Sequence, residues 1–277
     1  MLTHTHENKG VALITGASTG IGAIYADRLA RRGYDLVLVA RNRERLHALA
    51  ERLGRQTGRS VEVIAADLGN SADLGRIEAK LRTDRRISLL VNNAGLGATS
   101  PLLESDVEKM DELIALNVRA LMRLTYAAVP GFVARGAGAV INIASVVAIA
   151  PELLNGVYGA SKSFVLAFSQ SLQHELADKG VRIQAVLPGA TATDFWSIAG
   201  KPVEELPAQI VMSAENLVDA ALSGFDLGES VTLPALAESS DWDAFERSRV
   251  ALRPKLSLSA PADRYGVSNQ TRRQTAA

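Results

Sequence analysis

Val11-Ala12-Leu13-Ile14-Thr15 is a short apolar run that leads directly into Gly16-Ala17-Ser18-Thr19-Gly20-Ile21-Gly22, and a helical pattern follows through Arg32. This order predicts a buried strand, a glycine-rich turn and a helix. Because the first N–H groups of a helix lack partners and carry a partial positive charge, a pyrophosphate can bind at such a turn where no Cβ obstructs it. The segment therefore favours a dinucleotide-binding protein.

The glycines of this turn have separate expected roles. Gly16 permits the tight turn, Gly20 the close approach of the backbone to a phosphate, and Gly22 the packing of the helix on the strand. The spacing differs from the commoner Gly-x-Gly-x-x-Gly pattern, and glycines that only build a turn are the alternative interpretation.

A second group of polar residues lies far along the chain from the glycines. Tyr158 and Lys162 stand four residues apart in a helical pattern, so their side chains share one face. A neighbouring ammonium would stabilise the phenolate and lower the tyrosine pKa from its usual value of about 10. Ser145 lies thirteen residues before Tyr158. These residues predict a tyrosine that acts as a general acid.

Apolar runs of strand length alternate with helical patterns along the whole chain. Further strands are predicted at residues 35–39, 61–65, 88–92, 139–144, 181–187 and 230–233. Helices are predicted at 43–56, 71–83, 105–135, 156–179 and 214–223, with a kink or interruption at Pro130. Repeated βα units predict an α/β fold with a single Rossmann-type doubly wound parallel sheet and helices on both faces.

The predicted organisation is one catalytic domain with short flanking segments. We expect a flexible N-terminus at residues 1–8, a dinucleotide-binding catalytic domain at 9–235, a C-terminal extension packed on the domain at 236–265, and a mobile tail at 266–277. The extension contains a short amphipathic helix with Trp242 and Phe245. Core packing, a subunit contact and a pocket lid are three interpretations of this aromatic pair.

The composition argues against several classes of protein. The 277 residues include 30 basic and 30 acidic side chains, a balance that argues against electrostatic binding of nucleic acid. Cysteine is absent, which excludes disulfides and thiolate metal sites, and the proposed chemistry needs no metal. No apolar run reaches the roughly 20 residues that span a bilayer, and the polar start lacks the apolar core of a signal peptide. We therefore expect a cytoplasmic protein without a membrane partner.

Together these residues resemble the short-chain dehydrogenase/reductase family in its classical form, over about residues 9–234. The resemblance comprises several motifs at the family's spacing. They are the cofactor loop Thr15–Gly22, the adenine site Asp67-Leu68, the turn Asn92-Asn93-Ala94-Gly95, Asn117 in Leu116-Asn117-Val118, then Ser145, Tyr158 and Lys162, and the segment Pro188-Gly189-Ala190-Thr191-Ala192-Thr193 that closes over the nicotinamide.

The resemblance implies a catalytic tetrad of Asn117, Ser145, Tyr158 and Lys162. Ser145 would hydrogen-bond the substrate oxygen, and Tyr158 would donate its proton in reduction. Lys162 would hold the nicotinamide ribose and lower the Tyr158 pKa, and Asn117 would bind a water that links Lys162 to solvent. The family also implies a homodimer or homotetramer. With Arg41, the expected cofactor contacts are Gly16, Ser18, Thr19, Gly20, Ile21, Gly22, Asp67, Leu68, Asn93, Ala94, Gly95, Tyr158, Lys162, Pro188, Gly189, Thr191 and Thr193.

The choice of cofactor depends on the end of the second predicted strand. Dinucleotide sites that use NAD place an acid there against the ribose hydroxyls, whereas this chain has Ala40 and then Arg41. The guanidinium offers charge-assisted hydrogen bonds to a 2′-phosphate, so NADP(H) is favoured over NAD(H). A solvated loop charge is the alternative for Arg41, and it is the preferred interpretation for Arg43 and Arg45.

Several other residues have ordinary interpretations. His4 and His6 fit a mobile polar terminus better than a metal site, because further ligands are lacking. His174 is expected to be a packing or surface residue, Asp67 could cap the next segment, and Asn93 could hold the neighbouring strand. An apolar substrate pocket, or else ordinary core, is expected for Val147, Leu153, Leu154, Phe195 and Trp196.

The leading functional prediction is an NADPH-dependent oxidoreductase that interconverts a ketone or aldehyde and the corresponding alcohol. A catalytically silent dinucleotide-binding sensor or scaffold is the rival, since a fold alone does not guarantee activity, but such a protein should have lost a member of the tetrad. Among enzymes, a 3-oxoacyl thioester reductase is the alternative, although Asn93-Ala94-Gly95-Leu96-Gly97 lacks the continuation expected of that subfamily.

Overall fold

Strands and helices alternate from Val11 onward in the computed structural model, which describes residues 9–267. The strands are β1 Val11–Thr15, β2 Asp35–Ala40, β3 Val61–Ala65, β4 Ile87–Asn92, β5 Gly138–Ile143, β6 Val181–Val186, β7 Thr191–Ala192, β8 Met212–Ser213 and β9 Val231–Thr232. The helices are α1 Gly20–Arg31, α2 Arg43–Thr57, α3 Ser71–Thr83, α4 Val107–Ile114, α5 Leu121–Arg135, α6 Gly156–Leu176, α7 Phe195–Ile198, α8 Ala214–Leu227 and α9 Ser239–Ala251. Residues 1–8, with His4 and His6, and residues 268–277 of the predicted tail lie outside the described chain.

Seven of the strands form one sheet in the order β3-β2-β1-β4-β5-β6-β9, with every neighbouring pair parallel. The strand order reverses between β1 and β4. In sheets of this kind a ligand binds outside the carboxyl ends of the strands at this switch point. The predicted doubly wound α/β fold is confirmed.

Alternate side chains of each strand pack on opposite faces of the sheet. In β1, Ala12 and Ile14 join a buried cluster with residues of α1, α2 and α8, whereas Val11 and Leu13 join a second cluster with residues of α3, α5 and α6. Because both faces are covered, the strands are apolar on both sides rather than on one. The two clusters hold the strand ends, and the turns that follow them, in fixed positions.

The predicted helix at 105–135 is wrong in one respect, because it consists of three parts. Between α4 and α5 lies a π-helical segment, Ala115–Ala120, whose wider turn contains Asn117. Of the two effects expected of Pro130, an interruption does not occur, since α5 continues through it, and a kink stays a prediction. A proline removes one helical hydrogen bond, and the buried residues Ala127, Ala128 and Phe132 hold the helix on the sheet around it.

The described chain divides after Ala235 into two units. The second unit contains α9, in which the rings of Trp242 and Phe245 stack with centroids 5.2 Å apart. No helix between residues 9 and 267 combines the length and the apolar composition needed to cross a membrane.

Candidate active site

The glycine-rich turn follows β1 at the switch point and is held by the end of β4. The hydroxyl oxygen of Thr15 accepts hydrogen bonds from the N–H groups of Asn93 and Ala94, both at 3.0 Å. The Asn93 side chain donates to the carbonyl oxygens of Thr15 and Gly16 at 2.9 and 3.1 Å. Asn93 therefore holds the end of β1 and the turn after it, in agreement with its structural interpretation.

Two glycines of the turn have no room for a side chain. A Cβ on Gly22 would lie 2.3 Å from the carbonyl oxygen of Gly16, and a Cβ on Gly16 would lie 2.8 Å from Nδ2 of Asn93. Gly16 and Gly20 also have positive φ angles, 63° and 53°, which L side chains rarely adopt. Only glycine fits this turn without a movement of the backbone.

Helix α1 begins at Gly20 without a capping side chain. Thr19 makes no side-chain cap, and the first turn of the helix contains no acidic residue. Five other helices have a side-chain cap, provided by Asn42, Asn70, Asp106, Asn155 and Ser213. Free helical N–H groups beside a cradle without Cβ atoms fit a bound pyrophosphate, and the half-buried Ser18 and Ile21 complete the turn.

Ser145, Tyr158 and Lys162 converge at the carboxyl end of β5. Ser145 follows this strand, and the other two residues lie in the first two turns of α6. All three are buried, and Oγ of Ser145 donates to the carbonyl oxygen of Pro188 at 3.4 Å. Nζ of Lys162 lies 5.8 Å from the Tyr158 ring centroid and donates to the carbonyl oxygen of Ile143 at 2.9 Å.

The Tyr158 pKa is raised, and not lowered as the pairing with Lys162 predicts. Burial raises the pKa of Tyr158 to about 12, and the hydrogen bond with Ser145 opposes the rise only in part. Burial also lowers the pKa of Lys162 to about 8, because a buried ammonium loses its hydration. Tyr158 therefore holds its proton at neutral pH, which is the form that a proton donor needs.

Asn117 connects the π-helical segment to the turn after β4. Its side chain accepts from the N–H of Leu96 and donates to the Leu96 carbonyl, both at 2.8 Å, and it donates to Oγ of Ser161 at 3.2 Å. Gly95 lies beside it, since a Cβ there would be 3.1 Å from Oδ1 of Asn117 and 3.6 Å from Nζ of Lys162. The four tetrad residues thus occupy one region, next to the turn that Asn93 and Ala94 begin.

The predicted adenine and ribose contacts lie after β3 and β2. Leu68 is buried, whereas Asp67 is exposed and accepts a hydrogen bond from the N–H of Gly69 at 2.9 Å. This bond closes a local turn, whereas α3 is capped by Asn70 and not by Asp67, so the adenine contact of Asp67 stays a prediction. Arg41 is exposed immediately after β2. Arg45 is also exposed, in agreement with a solvated helix charge, and lies 3.6 Å from the equally exposed Asp194.

The segment after β6 returns to the glycine-rich turn. The Pro188 carbonyl accepts from the N–H of Val146 at 2.9 Å, Gly189 is exposed, and Thr191 forms β7 with a buried side chain. Thr193 reaches the start of α1, because a Cβ on Gly20 would lie 3.1 Å from its Cγ2. A cavity of about 260 Å³ is lined by residues at the start of α1 together with residues 192–194 and 214–215.

Apolar side chains surround the Tyr158 ring. Ala98, Leu113 and Val147 are buried with it, and partly buried Leu154 and Phe195 pack against this cluster. Two of the predicted pocket residues, Leu153 and Trp196, do not belong to this cluster. Leu153 is 61% exposed because it ends a short 3₁₀ turn at the surface, and Trp196 is buried with its indole N–H donated to the Thr191 carbonyl at 3.0 Å. His174 lies on the exposed side of α6.

Three contributors to the site were not found from the sequence. The hydroxyl of Ser161 bonds both Asn117 and the Tyr158 carbonyl, and the carbonyl of Ile143 holds Lys162. Asn155 caps α6 by accepting from the N–H groups of Val157 and Tyr158. An asparagine just before a helical pattern is a readable N-cap signal, but no sequence signal marks a backbone carbonyl as a lysine partner.

Comparison with known proteins gives consistent results. The family profile of the short chain dehydrogenases matches residues 10–202. A short-chain dehydrogenase from Sphingobium yanoikuyae, solved in complex with NADPH, is 50% identical, with 92% of this chain and 99% of that chain covered and a TM-score of 0.90. The bulky-bulky ketone specific alcohol dehydrogenase from Comamonas testosteroni is 44% identical over 94% of this chain and 99% of its own, with a TM-score of 0.86.

A curated relative extends the comparison to a different substrate. The very-long-chain 3-oxoacyl-CoA reductase of Anas platyrhynchos is 36% identical over 216 residues, which are 76% of this chain and 67% of that protein. The profile match and these identities over most of the chain establish the relationship that the motifs indicated. The chain belongs to the classical short-chain dehydrogenase/reductase family of oxidoreductases.

Proposed function

We propose that this protein is an NADPH-dependent reductase of ketones or aldehydes, with Tyr158 as the proton donor. The observation that carries the proposal is the buried Ser145, Tyr158 and Lys162 group beside a glycine-rich turn built at the switch point of the sheet. The turn fits a dinucleotide, and the buried phenol fits proton transfer to an oxygen.

Each residue of the group has a distinct part in this reaction. When bound, NADPH would supply the hydride. Tyr158 donates the phenolic proton to the carbonyl oxygen, and the hydroxyl of Ser145, which is buried in the same region, orients that oxygen. Lys162 would hold a ribose hydroxyl of the cofactor, and its charge stabilises the phenolate once the proton has left. Asn117 joins Leu96 to Ser161 and fixes the path by which Lys162 reaches solvent.

The preference for NADPH over NADH rests on the end of β2. Ala40 stands where an NAD site would carry an acid, and the exposed Arg41 follows it. The complex of the Sphingobium yanoikuyae relative with NADPH supports the same choice.

The substrate we propose is an apolar ketone, because the cluster around Tyr158 consists of apolar side chains. The substrate named for the Comamonas testosteroni relative supports this class. A 3-oxoacyl thioester is the second candidate, and the name of the Anas platyrhynchos relative favours it.

The proposal is tested by following NADPH absorbance with a panel of aryl ketones, aldehydes and a 3-oxoacyl-CoA, using wild type and Tyr158→Phe. We expect consumption with at least one carbonyl compound in wild type and its loss in the variant, with NADPH binding retained. Binding of NADPH without turnover on any of the compounds would instead favour the silent sensor or scaffold. Turnover of the thioester alone would favour the second candidate.

A further inference from the structure

Gly97 lacks a side chain at the point where Phe195 approaches it. A Cβ built on Gly97 would lie 2.2 Å from Cζ of Phe195 and 2.8 Å from Cε1 and Cε2, too close for any real contact. Gly97 does not have a positive φ angle, so its backbone is open to other residues. The need for glycine here comes from the aromatic ring and not from the turn.

The same ring also contacts the proton donor. The centroids of Phe195 and Tyr158 are 5.9 Å apart with an interplanar angle of 47°. Phe195 is partly buried and packs on the apolar cluster that contains Tyr158. A substrate whose carbonyl oxygen meets the Tyr158 hydroxyl therefore has the Phe195 ring close to one of its substituents.

Hydrogen bonds fix the short helix that carries this ring. At its start, the N–H of Phe195 donates to Oγ1 of Thr193 at 3.4 Å. At its end, the carbonyl of Ala199 accepts from Oγ1 of Thr99 at 2.8 Å. The second bond joins α7 to the segment that contains Gly97, so it holds the helix that carries the ring next to the glycine.

We propose that Gly97 and Phe195 form a specificity-determining pair. The missing side chain of Gly97 seats the Phe195 ring against Tyr158, and the seated ring limits the size of the group beside the substrate carbonyl. This inference rests on the proposed function, because it concerns which ketones that reaction accepts.

The test compares kcat/KM for butyrophenone with kcat/KM for acetophenone, which differ in the size of one substituent. We expect Phe195→Ala to raise this ratio by about tenfold or more, the usual effect of a change of pocket size by a few carbons. Ile198→Ala, on the same helix at a residue 67% exposed, is the control and should leave the ratio within about twofold. Phe195→Leu is measured alongside, since it keeps an apolar side chain if the alanine variant does not fold.

A double-mutant cycle then tests the pairing itself. Gly97→Ala should change the ratio by about fivefold or more when Phe195 is present, and should have no effect in the Phe195→Ala background, because contacting residues couple. NADPH affinity should be unchanged in all variants. The inference is overturned if Phe195→Ala behaves like Ile198→Ala, or if Gly97→Ala has the same effect in both backgrounds. A wild type that reduces neither ketone nor any other carbonyl compound overturns the proposed function, and this inference with it.

Discussion

At the scale of single residues, burial decides the protonation of the site. A lysine four residues from a tyrosine predicts a lowered tyrosine pKa, but the buried phenol has a pKa of about 12. The sequence reveals the helical spacing of Tyr158 and Lys162. It does not reveal that α6 buries both groups, or that the Ile143 carbonyl accepts the Lys162 hydrogen bond. The spacing of Tyr158 and Lys162 along one helix was predictable from the sequence, whereas the burial of their side chains depends on the packing of the whole chain.

The cofactor preference is tested at Arg41. Arg41→Asp should weaken NADPH binding by about 1.5 to 3 kcal/mol, the range for a hydrogen bond to a charged group, and should leave NADH binding equal or stronger. Dissociation constants for both cofactors, measured by fluorescence titration, give the result. Arg43→Asp, two residues further on and also exposed, is the matched control. Unchanged selectivity in Arg41→Asp would mean that this guanidinium is only a solvated charge.

At the scale of elements, the sequence predicted the strands and the glycine-rich turn correctly, but it did not predict a change of geometry inside a helix. The apolar run before Gly16 and the glycine spacing correctly predicted β1, the turn and α1. The long pattern at 105–135 gave no sign of the π-helical segment, because inserting one residue per turn changes the periodicity too little to be read. That segment contains Asn117, so the local geometry of one tetrad member was not predictable.

The fit of α1 on the glycine turn is tested by a pair of glycine variants. Gly22→Ala should lower the free energy of unfolding by about 1 to 3 kcal/mol, because its Cβ would lie 2.3 Å from a backbone oxygen that has no room to move. Gly75→Ala is the control in α3, where a Cβ meets nothing within 4 Å. It should stabilise the protein by about 0.4 to 1 kcal/mol. Urea denaturation measures both, and equal effects would contradict the packing role of Gly22.

At the scale of the whole molecule, the alternation of strands and helices was sufficient to predict the doubly wound sheet. The sequence did not predict the small β7 and β8 pair or the contact between Phe195 and Gly97, because both join segments far apart in the chain through loops. The predicted homodimer or homotetramer and the predicted domain limits stay predictions. Sedimentation of the purified chain would give the oligomeric state.

At the same scale, three carboxylates with lowered pKa values make the stability of the folded chain depend on pH in the acid range. Asp84 accepts hydrogen bonds from Arg86 and contacts Lys80, and the bond from Arg86 is the main cause that holds its pKa well below the usual range. In Asp27 and Glu78, burial alone would raise the carboxyl pKa. Each carboxylate accepts hydrogen bonds from two arginines, which lower the pKa by more than burial raises it, so the net change is downward. All three carboxylates bind fewer protons in the folded chain than in the unfolded chain. Their stabilisation is therefore present above about pH 4 and is lost as the pH falls towards the folded-state pKa values.

This dependence predicts the behaviour of Asp84→Asn. At pH 6 the variant should be less stable than wild type by about 1.5 to 3 kcal/mol, and the difference should shrink as the pH falls below about 4. Urea midpoints measured from pH 6 downward provide the comparison, with the exposed Asp178→Asn as the control. A difference that stays constant with pH would show that the charge of Asp84 contributes nothing.

Proton donation by Tyr158 is most directly tested by the rate of a single turnover, measured with saturating NADPH and a ketone that wild type reduces. Tyr158→Phe should slow this turnover by about 10² to 10⁴, the usual contribution of a general acid, while the NADPH dissociation constant stays the same. Tyr126→Phe, which removes the hydroxyl of an exposed tyrosine on α5, should behave like wild type. A Tyr158→Phe rate close to that of wild type would contradict the role assigned to this phenol.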